Sequence, residues 1–192
     1  MTMETKNIMI VGVGGQGTLL ASRLLGRLFM DAGYDVKVSE VHGMSQRGGS
    51  VVTYVRFGDK VAAPIIDKGQ ADYIISFELL ESARYLEYLK VGGKLVSNSQ
   101  KISPMPVITG TMDYPADLEK KIADLGVDAD IFDALAIAEE AGNTKAVNIA
   151  LMGRFSKYFD FPEEAWESAL EAVVPGKFIE LNKKAFAMGR NR

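Results

Sequence analysis

The sequence predicts a Rossmann-like α/β fold, with a doubly wound, mostly parallel sheet of about five strands, helices on both faces, a β-hairpin insertion and a helical C-terminal region. Three observations predict this class. Residues 8–11 form an apolar run that leads through a glycine-rich turn into a helical pattern. Residues 72–77 begin a second strand-helix repeat, and residues 134–188 show helical periodicity only.

The N-terminal unit has the order strand, turn, helix, strand. Gly12 ends the apolar run 8–11, and residues 18–32 carry leucines at helical spacing. Gly33 occupies the position expected after a helix end, and residues 36–41 alternate as a second strand. These features predict a βαβ unit.

The hairpin insertion is predicted from the next two runs. Residues 50–57 alternate between apolar and polar side chains, and residues 58–60 suggest a tight turn. Residues 61–65 then predict the second hairpin strand, at a sheet edge because Pro64 has no N–H to donate.

The second repeat and the C-terminal region complete the pattern. Residues 72–77 predict a parallel strand covered on both faces, residues 79–90 a helix and residues 94–98 another strand. Beyond them the sequence predicts helices only, at residues 115–126, 134–141, 145–158, 162–174 and 177–188.

Composition limits the class of protein. The length of 192 residues and the hydrophobic content of 47% predict a single domain spanning residues 1–192. No cysteine is present, so this chain can form no disulfide and hold no iron-sulfur cluster through thiolates. A net charge of −3 provides no basic surplus for nucleic acid, and no apolar run approaches the length of a membrane span. We expect a cytoplasmic protein with no nucleic-acid or membrane partner.

The first candidate site is the turn between the first strand and the first helix. It has the G-x-G-x-x-G pattern, and its candidate cofactor-binding residues are Gly12, Gly14, Gly15, Gln16 and Gly17. Such glycines let the backbone approach a pyrophosphate, which the N–H groups of the helix start stabilise. Glu40, at the end of the second strand, is a candidate for a ribose hydroxyl. Alternatively, the glycines only allow close helix-sheet packing and Glu40 is a solvated strand end.

The second candidate site is the loop after the second strand, which the topology places at the same carboxyl edge of the sheet. Its candidate binding residues are Ser45, Gln46, Arg47, Gly48 and Gly49. Arginine binds carboxylate or phosphate through its planar fork, and consecutive glycine N–H groups can form an anion nest. The alternative is a mobile loop with a surface arginine.

Other polar residues give weaker signals, and the sequence predicts neither a catalytic nor a metal-binding residue. His42 is the only histidine, which excludes a site built from several imidazoles, and no nucleophile-elbow motif is present. Asn148 and Asn182 lie on apolar helical faces, where we favour a structural role in hydrogen bonding to the backbone.

With these motifs, the chain resembles the γ-domain family of 2-oxoacid:ferredoxin oxidoreductases over nearly its whole length, and in particular the indolepyruvate branch. The resemblance rests on residues 11–17, 40–51, 76–78 and 148–153, of which the segment 40–50 is the most specific. It implies a subunit of a complex that decarboxylates an aryl 2-oxoacid such as indolepyruvate, transfers electrons to ferredoxin and forms an aryl-acetyl-CoA and CO2. It also implies a larger α subunit that carries thiamine diphosphate and the iron-sulfur clusters.

That division of labour agrees with two features of the sequence. The chain has no cysteine, and Lys60 follows Gly58 and Asp59 where a thiamine-binding G-D-G element would have glycine. We expect this chain to complete the complex and to bind the coenzyme A diphosphate at the turn 12–17, assisted by Arg47. A stand-alone dinucleotide-binding oxidoreductase and a purely scaffolding subunit remain open alternatives. Expressed alone, the chain is expected to self-associate into a homo-oligomer.

Overall fold

A single mixed sheet organises the molecule. The computed structural model describes residues 4–42 and 49–192, with His42 described by its backbone only. Its six strands are β1 (Lys6–Val13), β2 (Asp35–His42), β3 (Ser50–Gly58), β4 (Ala71–Ser76), β5 (Leu89–Asn98) and β6 (Asp128–Phe132).

The strand order is β2-β3-β1-β4-β5-β6. Strands β1, β4, β5 and β6 are mutually parallel, and β3 runs antiparallel to both of its neighbours, β1 and β2. The predicted α/β class with a mostly parallel sheet is therefore confirmed.

The predicted second hairpin strand at residues 61–65 is wrong, because the structure has no strand between β3 and β4. Side chains, and not a neighbouring strand, form hydrogen bonds with backbone groups of this segment. The Arg56 guanidinium donates to the carbonyl oxygens of Ala63 and Ile65 at 2.7 and 3.0 Å. The Val61 N–H donates to the Asp35 carboxylate at 2.8 Å. Strand β3 instead forms its antiparallel pairs with β2 and β1.

Two further differences concern the second half of the sheet. The predicted helix 79–90 ends early, and β5 already begins at Leu89. Strand β6 is missing from the prediction because only two of its five residues, Ile131 and Phe132, are large apolar residues. It lies at the sheet edge, where burial demands little apolar content.

Helices cover both faces of the sheet, and the C-terminal region is helical as predicted. They are α1 (Thr18–Asp31), α2 (Leu79–Arg84), α3 (Met105–Ile108), α4 (Leu118–Asp124), α5 (Ala134–Ala141), α6 (Val147–Ser156), α7 (Glu163–Val173) and α8 (Ile179–Asn191). No helix in the described ranges is long and apolar enough to cross a membrane.

Strand β1 separates the two main cores. Ile8 and Ile10 pack with α1, α6 and α7 on one face, and Met9 and Val11 pack with α2 and α4 on the other. All four side chains are fully buried. This division follows from the alternation of side chains along a strand, and it explains why the run is continuously apolar.

Helices α6 and α8 cross at unusually close range. A Cβ added to Gly153 would lie 2.1 Å from the Phe186 carbonyl oxygen, and one added to Gly189 would lie 2.0 Å from the Ala150 carbonyl oxygen. Only glycine permits this approach of two backbones. The crossing fixes the position of α6, whose first turn reaches the site described next.

Candidate anion-binding site

The turn between β1 and α1 is held in place by Gln16. Its side-chain oxygen accepts a hydrogen bond from the Val13 N–H at 2.7 Å, and its side-chain nitrogen donates to the Phe77 carbonyl oxygen at 2.9 Å. Gly12 permits this arrangement, because a Cβ there would lie 2.9 Å from the Gln16 oxygen. Gln16 therefore joins the turn to the end of β4, a positioning role that the sequence did not predict.

The two glycine-rich segments meet at one edge of the sheet, as expected from topology. The Gly14 N–H donates to the Gly49 carbonyl oxygen at 3.0 Å. Gly12 pairs with Val51 in the adjacent strand, and Val51 pairs with His42 beyond it. The predicted binding residues Ser45, Gln46, Arg47 and Gly48 lie outside the described residues, so only the two ends of the second segment are placed.

Glu40 does not occupy the usual position of a ribose-binding acid. It pairs with Thr53 of β3, which in turn pairs with Ile10 of β1. Two strand spacings, about 10 Å, therefore separate the backbones of β1 and β2. In a dinucleotide-binding βαβ unit the second strand lies beside the first. The insertion of β3 removes that arrangement, and the sequence pattern could not reveal it.

A cavity of about 490 Å³ opens at the N-terminus of α1. It lies at the carboxyl edge of the parallel strands, where ligands of open α/β sheets bind. Its lining residues come from the turn, the residues that follow β4 and β5, the start of α5, the α5–α6 connection and the first turn of α6. They are Gly15, Gln16, Gly17, Phe77, Gln100, Leu135, Thr144, Lys145, Val147 and Asn148.

The helix start faces this cavity without a side-chain cap. Gly17 is the residue before α1 and has a φ of 88°, a left-handed conformation that favours glycine. No side chain of the described residues caps it. The first N–H groups of a helix carry a partial positive charge, which stabilises an anion placed there.

Asn148 is a buried polar residue beside this helix start. Its side-chain oxygen accepts a hydrogen bond from the Ile149 N–H at 2.9 Å, in agreement with the predicted structural role. Its side-chain nitrogen lies 2.5 Å from where a Gly17 Cβ would be, and it has no hydrogen-bond partner within the described part of the chain. Asn148 is 7% exposed and lines the cavity, so solvent or a ligand in the cavity can accept hydrogen bonds from this N–H2 group.

Lys145 and Thr144 supply the remaining polar groups of this wall. Both side chains are exposed, and Lys145 forms no ion pair within the described residues. The sequence did not predict Thr144, Lys145 or Gln100 as site residues, and it gave Asn148 a structural role only. No local motif marks Thr144, Lys145 or Gln100, and the approach of the α5–α6 connection to the first turn depends on helix packing.

Buried Glu78 fixes the opposite wall. Its carboxylate accepts hydrogen bonds from the Glu81 N–H at 2.9 Å, the Ile102 N–H at 2.9 Å and the Tyr114 hydroxyl at 2.7 Å. Burial, reinforced by the Glu78 carboxylate, raises the pKa of Tyr114, which therefore stays a neutral donor. These bonds hold the segment that carries Gln100, which also accepts the Leu79 N–H on its carbonyl oxygen.

Asn182 behaves as predicted, because its side-chain nitrogen donates to the Phe178 carbonyl oxygen at 2.8 Å.

In the part of the chain that the structure describes, no group of three or more histidine, cysteine, aspartate or glutamate residues could hold a metal ion. The chemistry available at the cavity is therefore hydrogen-bond donation and positive charge, which suit an anionic ligand.

Comparison with known proteins gives consistent results. The family model described as pyruvate ferredoxin/flavodoxin oxidoreductase matches residues 7–192. The indolepyruvate oxidoreductase subunit IorB of Thermococcus kodakarensis is 46% identical, with 97% of this chain and 95% of that protein covered. IorB of Pyrococcus horikoshii is 44% identical with the same coverage.

The fold has a counterpart in a solved structure. The γ subunit of a keto/oxoacid ferredoxin oxidoreductase from Geobacter sulfurreducens superposes with a TM-score of 0.71 at 25% identity, covering 97% of this chain and 96% of that one. The resemblance found from the glycine-rich segments is confirmed. The chain belongs to the pyruvate ferredoxin/flavodoxin oxidoreductase family.

Proposed function

We propose that this chain is the small, non-redox subunit of an indolepyruvate:ferredoxin oxidoreductase and that its cavity at the start of α1 binds the diphosphate of coenzyme A. The names of its relatives support the assignment to an indolepyruvate complex. In the proposed overall reaction, an aryl 2-oxoacid and coenzyme A give an aryl-acetyl-CoA and CO2, and two electrons pass to ferredoxin.

The redox cofactors are assigned to a larger α subunit. Iron-sulfur clusters need thiolate ligands, and this sequence has no cysteine. When bound in the partner, thiamine diphosphate and the clusters supply decarboxylation and electron transfer, and ferredoxin is reached through that subunit. The role left to this chain is to bind and orient the acyl acceptor and to complete the assembly.

The side-chain nitrogen of Asn148, which lies beside the start of α1 and donates to no described group, is the observation that carries the diphosphate proposal. This N–H2 group belongs to a residue that lines the cavity, so a ligand there can accept its hydrogen bonds in place of water. A phosphate oxygen at the start of α1 would accept from this N–H2 group and from the first helical N–H groups together. The residues present therefore fit an anionic group.

The charge balance of the cavity supports the same ligand. The described lining includes Lys145 and no carboxylate, although the whole chain carries a net charge of −3. Gly12, Gly14, Gly15, Gln16, Gly17 and Gly49 are proposed to form the backbone around the diphosphate. Arg47 is proposed to add a second cation from the neighbouring segment.

Coenzyme A binding to the co-purified complex, measured by calorimetry, tests the proposal. Hydrogen bonds to charged groups contribute about 1.5–3 kcal/mol, so Lys145→Gln and Asn148→Leu should each weaken coenzyme A binding by roughly tenfold or more. Lys121→Gln is the matched control, because Lys121 is an exposed lysine of α4 on the opposite face.

The outcomes separate the three functional classes. Unchanged affinity in both cavity variants, with the complex intact, would leave only a scaffolding role. Stoichiometric binding of a nicotinamide or flavin dinucleotide to the isolated chain would favour a stand-alone oxidoreductase. Thiamine diphosphate content should stay unchanged in every variant, since that cofactor is assigned to the partner.

A further inference from the structure

We infer that a second, smaller cavity beside the first binds the planar base of an adenine nucleotide, so that the two cavities together accommodate base and diphosphate. This inference rests on the proposed function and extends it to the chemistry of the ligand. The second cavity has a volume of about 160 Å³ and shares Lys145 and Asn148 with the first. The two cavities are therefore adjacent, with Lys145 and Asn148 between them.

The size and lining of the second cavity suit a flat ring. Its apolar residues come from α1, the start of α6 and the C-terminal helices, and they are Leu20, Ala146, Val174, Pro175, Phe178 and Leu181. An apolar cavity of about 150 Å³ accommodates an aromatic ring. The side chain of Phe178 is 42% exposed, which is unusual for a phenylalanine and leaves ring surface available for stacking.

A positive charge lies beside this ring. The ammonium group of Lys177 is 4.9 Å from the centroid of the Phe178 ring, so one part of the ring is covered by a cation. The same ammonium, with that of Lys145, adds attraction for a ligand that carries phosphates. The cavity therefore combines an aromatic surface with nearby positive charge, as nucleotide sites commonly do.

Two asparagine side chains give the cavity a donor and an acceptor. The Asn143 side-chain oxygen accepts the Lys145 N–H at 2.9 Å, which leaves its N–H2 group to donate. The Asn182 side-chain nitrogen donates to the Phe178 carbonyl oxygen, which leaves its side-chain oxygen to accept. Adenine presents the complementary pair, an exocyclic N–H2 donor and ring-nitrogen acceptors.

Calorimetry on the co-purified complex with ADP, inosine diphosphate and inorganic pyrophosphate tests the inference. We expect ADP to bind at least tenfold more tightly than pyrophosphate. Phe178→Ala should weaken ADP binding about tenfold and leave pyrophosphate binding unchanged, since stacking on an aromatic side chain contributes about 1–3 kcal/mol per base. Leu125→Ala, which removes another exposed apolar side chain, is the control and should change neither affinity.

The base itself is tested with inosine diphosphate, in which a carbonyl replaces the exocyclic amine. The wild-type complex should bind inosine diphosphate more weakly than ADP by about tenfold, and Asn182→Leu should abolish that preference. Equal binding of ADP and pyrophosphate, with no effect of Phe178→Ala, would overturn the base subsite while leaving the diphosphate site intact. Failure of pyrophosphate, ADP and coenzyme A alike to bind would overturn both proposals.

Discussion

Replacing Gly153 by alanine tests the helix crossing that places α6 beside the cavity. The new Cβ would lie 2.1 Å from the Phe186 carbonyl oxygen, whereas carbon and carbonyl oxygen normally approach to about 3.3 Å. Helices α6 and α8 must therefore move apart by roughly 1 Å in this region. The obstacle is backbone, so no change of side-chain rotamer can relieve the contact.

The expected magnitude follows from two opposing contributions. Alanine in a helix interior is favoured over glycine by about 0.5–1 kcal/mol, and overpacking of a close contact costs about 1–3 kcal/mol or more. Because the approach is much closer than any tolerated contact, we expect the free energy of unfolding to fall by about 2 kcal/mol. For a chain of this size, that corresponds to a decrease in Tm of roughly 4–8 °C.

Gly26→Ala is the matched control, since Gly26 also lies inside a helix. A Cβ there would meet only the Val38 side chain, at an ordinary 3.9 Å, so this variant should gain about 0.5 kcal/mol. Urea unfolding followed by circular dichroism measures both variants. A Gly153→Ala protein as stable as Gly26→Ala would refute the close crossing and, with it, the placement of Asn148.

Three further predictions concern partly buried polar groups. Arg154→Met should lower the free energy of unfolding by about 2 kcal/mol in urea titrations, because it leaves the partly buried Asp130 carboxylate without its bidentate cation partner. Burial alone would raise the pKa of Asp130, but hydrogen bonds from Arg154 and Tyr158 hold it below its usual value. The stabilisation by ionised Asp130 is therefore complete above about pH 5 and is lost as the pH falls through the pKa of Asp130 in the folded state. Arg154→Met should weaken this pH dependence when the free energy of unfolding is compared from pH 6 to pH 3. Gln16→Glu should reduce coenzyme A affinity more than tenfold in calorimetry, because the carboxylate repels phosphate. It should also lower the free energy of unfolding by about 1–2 kcal/mol, because the carboxylate cannot donate to the Phe77 carbonyl oxygen. Equal coenzyme A affinity would contradict the placement of Gln16 in the cavity.

The local pattern of apolar residues was sufficient to predict β1 and α1. The continuous apolar run of β1 and the spacing of Leu24 and Leu28 on α1 are imposed by burial, and both patterns are visible in the sequence. The position of β3 between β1 and β2 was not visible. Its own alternation marks a strand, but its neighbours are decided by hydrogen bonds between distant segments.

Two short segments show where apolar content is misleading. Residues 61–65 are apolar enough for a strand, yet the Arg56 guanidinium binds two of their carbonyl groups, those of Ala63 and Ile65. Strand β6 contains the charged residues Asp128 and Asp130, and hydrogen bonds from Arg154 and Tyr158 compensate for the partial burial of Asp130. Both errors arise from side-chain contacts that the apolar content of a segment does not show.

Part of the candidate site could be predicted from the sequence. The glycine turn and the meeting of two glycine-rich segments follow from the rule that ligands bind at the carboxyl edge of a parallel sheet. The contribution of Lys145 and Asn148 to the cavity wall could not be predicted, because both residues reach the turn only through the packing of α6 against α8. An asparagine in an apolar helix looks the same whether it serves the fold or a ligand.

A crystal structure of the complex with coenzyme A tests the central claim most directly. We predict a diphosphate oxygen within about 3.2 Å of the Asn148 side-chain nitrogen and of a backbone N–H in the first turn of α1, with Lys145 beside the phosphates. A diphosphate bound elsewhere, while this cavity holds only solvent, would contradict the account.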